Sequence, residues 1–213
     1  MKYKAFIFDW DGTLVDSERH IVSSIEHAAQ EVGLPLRTYS QMKDIIGLGM
    51  KEALLVLYPD LNDSEIESVR GHYSNYFFAS SSGALKLFDG VISTLESLQS
   101  FGLNLAVATG KSRNGLDKAL HSTGLKAFFD VERCADETKS KPHPMMLEEI
   151  AEYFSFAPSE MLMVGDTEYD LEMAARIGMD SVGVSYGVHD TERLLRHRPL
   201  KIVDKFSEIL TLT

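Results

Sequence analysis

The sequence predicts an α/β protein built on a doubly wound parallel sheet, with a small helical domain inserted into it. Three observations predict this fold. Short apolar runs that end at Asp, Gly or Thr recur along the chain, segments with helical spacing separate them, and one long stretch near the N-terminus lacks such runs. Short apolar runs are typical of buried parallel strands, and alternation of strands with helices is typical of doubly wound sheets.

Four apolar runs are predicted to be the strands, and three helical patterns lie between them. The predicted strands are Ala5–Phe8, Leu103–Ala108, Met161–Val164 and Ser181–Val184. Asp89 is predicted to cap the helix that precedes the second strand, and Ser112 to cap a helix that ends at Gly124. Pro142 and Pro144 suit the start of a third helix.

The inserted segment follows Asp16, after which no strand pattern appears for about seventy residues. Two apolar stripes at helical spacing predict a small helical bundle here instead. The stripes are formed by Ile21, Ile25, Ala28 and Val32, and by Ile66, Val69, Tyr73 and Phe77. We therefore predict a core domain of residues 1–15 and 84–213 and a helical domain of residues 16–83, with a return linker in Ser80–Gly83.

Bulk composition is that of a soluble globular protein and excludes several classes of function. The 213 residues are 44% hydrophobic and 25% charged, and the net charge of −11 disfavours binding to nucleic acid. Cys134 is the only cysteine, which excludes an intrachain disulfide and a cysteine-based metal site. We see neither a signal peptide nor a membrane-spanning segment, and therefore expect a cytoplasmic protein without a membrane partner.

Two aspartates at the end of the first strand carry the strongest chemical signal. Asp9 and Asp11 follow the apolar run directly, and Gly12 turns the chain immediately after them. Carboxylates in this position lie at the carboxyl edge of the sheet, where open α/β sheets bind their ligands. Two like charges this close favour either a bound cation or a shared proton. The stretch therefore indicates a hard cation and carboxylate chemistry.

Three more sets of polar residues fall at the same predicted edge of the sheet. Thr109 and Gly110 follow the second strand, Lys141 precedes a helix, and Asp166 follows the third strand with Asp170 four residues later. Each also fits a purely structural role: a Thr-Gly turn, a surface amine, a turn residue or a helix cap. Their combination with two N-terminal acids is much more specific than any one of them.

These residues occur in the order and positions of the four motifs of the haloacid dehalogenase superfamily. The matching segments are Asp9-Trp10-Asp11-Gly12-Thr13, Thr109-Gly110, Lys141-Pro142 and Gly165-Asp166-Thr167 with Asp170. The helical insert resembles the α-helical cap of that family, and we call residues 16–83 the cap. Asp16-Ser17 and the segment Gly183–Gly187 resemble the phosphoglycolate-phosphatase-like subgroup.

The resemblance implies a phosphohydrolase that cleaves a small phosphorylated molecule with the help of Mg²⁺. It implies that Asp9 is the nucleophile that forms an aspartyl-phosphate, and that Asp11 protonates the leaving alcohol and then activates water. It also implies that Mg²⁺ is held by the carboxylate of Asp9, the backbone carbonyl of Asp11 and the carboxylate of Asp166. A few protein oxygens plus water and substrate oxygen is the usual coordination of this cation.

The other motif residues are implied to hold the phosphoryl group. Thr109 and the amide of Gly110 would bind its oxygens, Lys141 would neutralise one of them, and Asp170 would orient the metal site or Lys141 from behind. Within the cap, the loop around Gly47-Leu48-Gly49 is expected to lie nearest the site. We expect Lys51, just after that loop, to contact an anionic part of the substrate.

Alternatives remain open at this point. Family dehalogenases lack the second acid of the first motif, so Asp11 argues against dehalogenation. The β-phosphoglucomutases keep both acids and carry a cap histidine, where this chain aligns Ile21 next to His20. A phospho-acceptor signalling module would use similar residues in a shorter chain without the insert, and an inactive binding homologue would lack some of them. We expect a monomer or weak homodimer.

Overall fold

The protein, seen in a computed structural model, contains a six-stranded parallel sheet and a separate two-stranded ribbon. The structure describes residues 2–80 and 86–213. The strands are β1 (Ala5–Phe8), β2 (Val15–Asp16), β3 (Lys86–Leu87), β4 (Asn104–Thr109), β5 (Val131–Cys134), β6 (Met161–Gly165), β7 (Asp180–Val184) and β8 (Lys201–Val203). The sheet has the order β5-β4-β1-β6-β7-β8, and β2 pairs with β3 antiparallel.

Helices form both the cap and the layers that cover the sheet. They are α1 (Glu18–Glu31), α2 (Tyr39–Asp44), α3 (Met50–Leu57), α4 (Asp63–Ser80), α5 (Val91–Ser100), α6 (Arg113–Thr123), α7 (Met145–Phe154), α8 (Glu168–Arg176) and α9 (Thr191–Leu195). Within the described ranges, no helix is both long enough and apolar enough to cross a lipid bilayer.

Alternation of side chains along β1 explains why helices cover both faces of the sheet. Phe6 and Phe8 are fully buried in one hydrophobic cluster, together with residues of α5 and α6. Ala5 and Ile7 point to the opposite face and are buried with residues of α7 and α8. Two buried faces are the mark of a parallel sheet in a doubly wound fold, so the predicted fold class is confirmed.

The helices α1–α4 have a hydrophobic core of their own, which is where the predicted cap lies. The two predicted apolar stripes lie on α1 and α4 and largely face this core, with Ile25 and Val69 each about 2% exposed. The ribbon pairs Val15 with Leu87 and Asp16 with Lys86 at the base of this helical group. The predicted linker residues 81–83 lie outside the described residues.

The predictions for individual elements differ from the structure in the bounds of strands, in the strands that were missed and in one helix cap. All four predicted strands are present, three of them with bounds shifted or extended by one residue, but β5 and β8 at the sheet edges were not predicted. Ser112 caps α6 as expected, since its hydroxyl accepts from the Gly115 amide at 3.2 Å. The prediction that Asp89 caps α5 is wrong, because Gly90 precedes that helix with a φ of 81° and no side chain caps it.

Candidate active site

The ends of three neighbouring strands bring the predicted acids and hydroxyl together. Asp9 follows β1, Thr109 ends β4 and Asp166 follows β6, and β1 lies between the other two strands. Lys141 approaches from the loop between β5 and α7, and Asp170 lies in the first turn of α8. All five side chains are almost completely buried, at most 1% exposed. Charged groups buried this deeply need partners or a metal ion.

Lys141 is the partner of two of these carboxylates. Its Nζ lies 2.5 Å from Oδ1 of Asp9 and 2.6 Å from Oδ1 of Asp170. The other carboxylate oxygen of Asp9, Oδ2, is buried and has no hydrogen-bond partner among the described residues. An unpartnered buried carboxylate oxygen is costly, and it therefore marks the place where a ligand is expected to bind.

Asp166 and Asp170 are held by short hydrogen bonds from neighbouring residues. Asp166 Oδ1 accepts from the Thr13 hydroxyl at 2.9 Å, and Oδ2 accepts from the Val188 amide at 2.8 Å. Asp170 Oδ2 accepts from both the amide and the hydroxyl of Thr167, at 3.1 and 2.7 Å. Its Oδ1 has no hydrogen bond among the described residues but forms an ion pair with Lys141, and Asp170 also serves the helix-capping role considered from the sequence.

Burial and mutual repulsion shift the pKa values of these groups. Burial raises the pKa of Asp9 well above its usual range, against the opposing effect of Lys141, and the neighbouring Asp170 and Asp166 raise it further. Burial and the charge of Asp170 raise the pKa of Asp166 to about 7. Burial alone would lower the pKa of Lys141, but Asp170 and Asp9 outweigh it and raise that pKa. The acids therefore lack sufficient positive charge around them.

The donor set fits a divalent cation. Carboxylate oxygens of Asp9, Asp166 and Asp170 lie within 4.8 Å of one another. Three carboxylates against the single ammonium of Lys141 leave two negative charges in a buried space, and one divalent cation balances them. Oxygen ligands of this kind are those that Mg²⁺ prefers in proteins.

Asp11 borders a cavity of about 300 Å³ between the sheet edge and the helices α1–α4, and Asp9, Thr109 and Gly110 also line it. Asp11 Oδ1 accepts from the Ser17 hydroxyl at 2.7 Å. Its Oδ2 lies 2.9 Å from the Nζ of Lys111, which also lines the cavity. A cavity of this size accommodates a small molecule, with carboxylates on its core side.

The loop between α2 and α3 closes this cavity on the cap side. A Cβ at Gly110 would lie only 2.5 Å from the carbonyl oxygen of Leu48, so the two backbones touch. The amide of Gly49 donates to Ser140 Oγ at 2.7 Å. Lys51 also lines the cavity, but its ammonium is exposed and pairs with Asp63 at 2.7 Å.

The contacts of three polar residues around the site were not predicted from the sequence. Lys111 and Ser17 both hold Asp11, and Ser140 holds the cap loop. Ser17 belongs to the Asp16-Ser17 segment noted above, whereas Lys111 adjoins Thr109-Gly110 and Ser140 adjoins Lys141. Proximity to a motif is the only signal in the sequence that points to these roles, since no spacing rule reveals where their side chains reach.

Comparison with known proteins places this geometry in a family. The family model described as "Haloacid dehalogenase-like hydrolase" matches residues 6–184. The chain is 34% identical over 210 residues to "Probable phosphatase IndB" of Dickeya dadantii (strain 3937), covering 96% of this chain and 90% of that protein. It is 30% identical over 215 residues to "Phosphoglycolate phosphatase" of Vibrio vulnificus (strain YJ016), covering 97% and 94% of the two chains.

One solved structure matches the fold of this chain over its whole length. The crystal structure of a "predicted phosphoglycolate phosphatase" from Haemophilus somnus 129pt matches with a TM-score of 0.86 and 27% identity, covering 100% of this chain and 98% of that one. Family model, sequence relatives and fold all point in the same direction as the buried acids at the sheet edge. The chain therefore belongs to the haloacid dehalogenase-like hydrolases and is a phosphatase-type enzyme of that family.

Proposed function

We propose that this protein is a Mg²⁺-dependent phosphohydrolase that cleaves a small phosphate monoester through an aspartyl-phosphate on Asp9. The observation that carries the proposal is the environment of the Oδ2 atom of Asp9. This atom is buried and unpartnered, while Lys141 holds the other oxygen of the same carboxylate. Asp9 also lines the cavity. A fixed carboxylate with one unpartnered oxygen, on a residue that lines a cavity, is suited to nucleophilic attack.

The reaction divides into two displacements at phosphorus. In the first, an oxygen of Asp9 forms a bond to phosphorus and the bond to the leaving oxygen breaks, while Asp11 gives its proton to that oxygen. In the second, water gives a proton to Asp11 and attacks phosphorus, which breaks the bond to Asp9 and releases inorganic phosphate. General acid–base help of this kind typically contributes about 10²- to 10⁴-fold to the rate.

The residues proposed to hold Mg²⁺ are Asp9, Asp166 and the backbone carbonyl of Asp11. When bound, the cation would offset the negative charge of the acids and of the transferring phosphoryl group. We propose that Asp170 orients Lys141 rather than binding the metal, because Oδ1 of Asp170 forms an ion pair with Lys141 at 2.6 Å and its Oδ2 accepts from Thr167. A residue in this position fixes the geometry of its neighbour.

The phosphoryl oxygens are proposed to bind at Thr109, Gly110 and Lys141. The Thr109 hydroxyl lies at the end of β4 beside Asp9 and accepts from the amide of Lys111 at 3.2 Å. Gly110 exposes its backbone at the cavity wall without a side chain. Lys141 lies 2.5 Å from Oδ1 of Asp9 and would supply a positive charge to the transition state.

The helical segment is proposed to act as a cap that closes over the site during turnover. We retain residues 16–83 as the cap and residues 1–15 and 84–213 as the core. Support comes from the hydrophobic cluster that α1–α4 form, which Val188 of the core joins, and from the contact between Leu48 and Gly110. Closure would exclude bulk water and bring cap residues to the leaving group.

The mutase alternative is disfavoured by the surroundings of His20. Its Nε2 lies 2.8 Å from the carbonyl oxygen of Phe77, and its ring lies against the ring of Phe77 with centroids 4.3 Å apart. Ile21, rather than His20, lines the cavity. A histidine engaged in this way within the cap is poorly placed for proton transfer at the substrate. Interconversion of sugar phosphates without release of phosphate would favour the mutase.

The test is phosphate release from a panel of small phosphate monoesters by the full chain, with and without Mg²⁺. We expect release that requires Mg²⁺ and that falls roughly 10³-fold or more in Asp9→Asn, since that variant lacks the nucleophile. Asp60→Asn is the matched control, because Asp60 is exposed on the cap and far from the cavity lining. Unchanged release in Asp9→Asn would contradict the mechanism.

The covalent intermediate has its own readout. Acyl phosphates react with hydroxylamine, so quenching during turnover is expected to leave a hydroxamate at residue 9, detectable by peptide mass. Its absence under full turnover, with wild-type activity lost in Asp9→Asn, would favour direct attack by water. A cytoplasmic location and a monomer or weak homodimer stay predictions, which cell fractionation and light scattering test.

A further inference from the structure

Lys111 is the cation closest to the place where the leaving group must lie. Three basic residues line the cavity within the described ranges: Lys51, Arg70 and Lys111. The first two have exposed side chains and pair with Asp63 and Glu67 on the cap surface. Lys111 instead has a side chain only 10% exposed and extends from the core toward Asp11.

Two contacts place the Lys111 ammonium in the gap between core and cap. On the core side it lies 2.9 Å from Oδ2 of Asp11. On the cap side it lies 5.0 Å from the ring centroid of Phe77 in α4. Cation–ring contacts of this length are attractive, so the ring of Phe77 helps to hold the ammonium between core and cap rather than in bulk water.

The position follows from the proposed function, on which this inference rests. If Asp11 protonates the leaving oxygen, the atoms one or two bonds beyond that oxygen come to lie beside Lys111, because its nitrogen is within 3 Å of the carboxylate. A negative charge at that place in the substrate would meet an ammonium that is already shielded from water. Charge-assisted contacts are strongest where water is excluded.

We propose that Lys111 is a specificity-determining residue that selects phosphate monoesters whose leaving group carries a second anionic group, a carboxylate or a phosphoryl. The ammonium shifts from Asp11 to that anion when the substrate binds. Lys51, which the sequence suggested for this contact, keeps its pairing with Asp63.

The test compares two substrates that differ only at the proposed anion: 2-phosphoglycolate and 2-hydroxyethyl phosphate. We expect Lys111→Met to lower the ratio of their kcat/KM values about 10- to 100-fold, the usual effect of losing one hydrogen bond to a charged group. Lys111→Arg should retain most of the preference. The ratio cancels any loss that both substrates share because Asp11 has lost its partner.

Lys118→Met is the matched control, because Lys118 lies in α6, which follows the loop that carries Lys111, and its ammonium lies over the ring of Phe78 but does not line the cavity. Equal losses for both substrates in Lys111→Met would overturn the proposal and leave Lys111 as a mere partner of Asp11. Calorimetric binding of 2-phosphoglycolate to Asp9→Asn, with and without Lys111→Met, decides the matter independently of turnover. Weaker binding in the double variant supports the proposal, and equal binding contradicts it.

If wild type releases no phosphate from any substrate, the proposed function fails, whereas the calorimetric comparison still tests the role of Lys111. If wild type hydrolyses both substrates but Lys111→Met does not change the ratio of their kcat/KM values, the proposed function stands and this inference fails.

Discussion

Asp166 occupies a space that two glycines keep open for it. A Cβ at Gly12 would lie 2.1 Å from Asp166 Oδ2, and a Cβ at Gly187 would lie 2.2 Å from Asp166 Cβ. Gly12 also has a φ of 84°, a conformation that only glycine adopts without strain. Glycine is therefore needed at both positions to leave room for the Asp166 carboxylate, and not only to form the turns.

Gly187→Ala tests this packing without adding backbone strain. The new methyl group should displace Asp166 and disturb its hydrogen bond from the Val188 amide. We expect the Mg²⁺ concentration for half-maximal phosphate release to rise about 10- to 100-fold, as for other changes that misorient a metal ligand. A Mg²⁺ titration of activity measures this rise.

Gly71→Ala is the control for that substitution. Gly71 lies in α4 with nothing within 4 Å of its would-be Cβ, so alanine there should stabilise the protein by about 0.5–1 kcal/mol and leave the Mg²⁺ requirement alone. An unchanged Mg²⁺ requirement in Gly187→Ala would show that Asp166 tolerates the displacement or does not bind the metal.

The sequence predicts the polar residues that strand ends bring together but not those that reach across from loops. Asp9 and Asp166 were predictable neighbours because the carboxyl ends of parallel strands meet at one edge. The pairing of Lys111 with Asp11, and of Ser140 with Gly49, was not predictable. Those contacts depend on the direction of a side chain leaving a loop, which no periodicity encodes.

At the scale of elements, the end of α2 is bound to the core next to the residues that line the cavity. Arg193 of α9 contacts the carboxylate of Asp44, and its other nitrogen lies 2.6 Å from Glu168. The hydroxyl of Tyr169 donates to the carbonyl oxygen of Asp44 at 2.9 Å. One end of the cap is therefore anchored to α8 and α9.

Arg193→Met is expected to loosen this anchor. The guanidinium is partly exposed, so its removal should cost only about 0.5–1 kcal/mol and speed amide exchange in α2 about two- to fivefold. Hydrogen exchange read by mass spectrometry resolves this. Arg176→Met is the control, since its pair with Glu172 lies within α8 and does not reach the cap. Equal exchange in α2 for both variants would show that the pair does not anchor the cap.

The central elements were more predictable than those at the edges. The runs that became β1 and β6 are continuously apolar because both faces are buried, and they are fully buried in the structure. The edge strand β5 contains Glu132 and Arg133, and β8 has a half-exposed pattern. Such segments lack the apolar signal. The sequence therefore predicts the inner strands and misses the outer ones for the same physical reason.

For the whole molecule, the balance of charge explains how an acidic protein can bind an anionic substrate. The net charge is −11, yet the cavity wall brings Lys51, Arg70 and Lys111 to one space. The buried acids beneath it exceed the single charge of Lys141 by two, which a divalent cation would cancel. Local charge rather than net charge sets the field that a phosphate meets.

That charge excess should make Mg²⁺ stabilisation depend on pH. Without metal, burial and Asp170 raise the pKa of Asp166 from its ordinary value of 3.8 to about 7, so between those values the folded state binds more protons than the unfolded one. The free energy of unfolding of the metal-free protein should therefore fall as pH rises through this window. Mg²⁺ requires the ionised carboxylates, so its own contribution should rise over the same window.

We expect the difference in Tm between samples in Mg²⁺ and in a chelator to widen from about pH 5.5 to about pH 8, because the pKa of Asp166 lies within that interval. Calorimetry at constant ionic strength measures the difference. Asp166→Asn should remove most of it, since that variant loses both the titrating group and a metal ligand. Asp130→Asn is the control, because Asp130 caps the amide of Leu105 far from the cluster of acids. If this difference in Tm does not change with pH, the acids are already ionised without the metal. The positive charge of Lys141 would then be enough to keep them ionised.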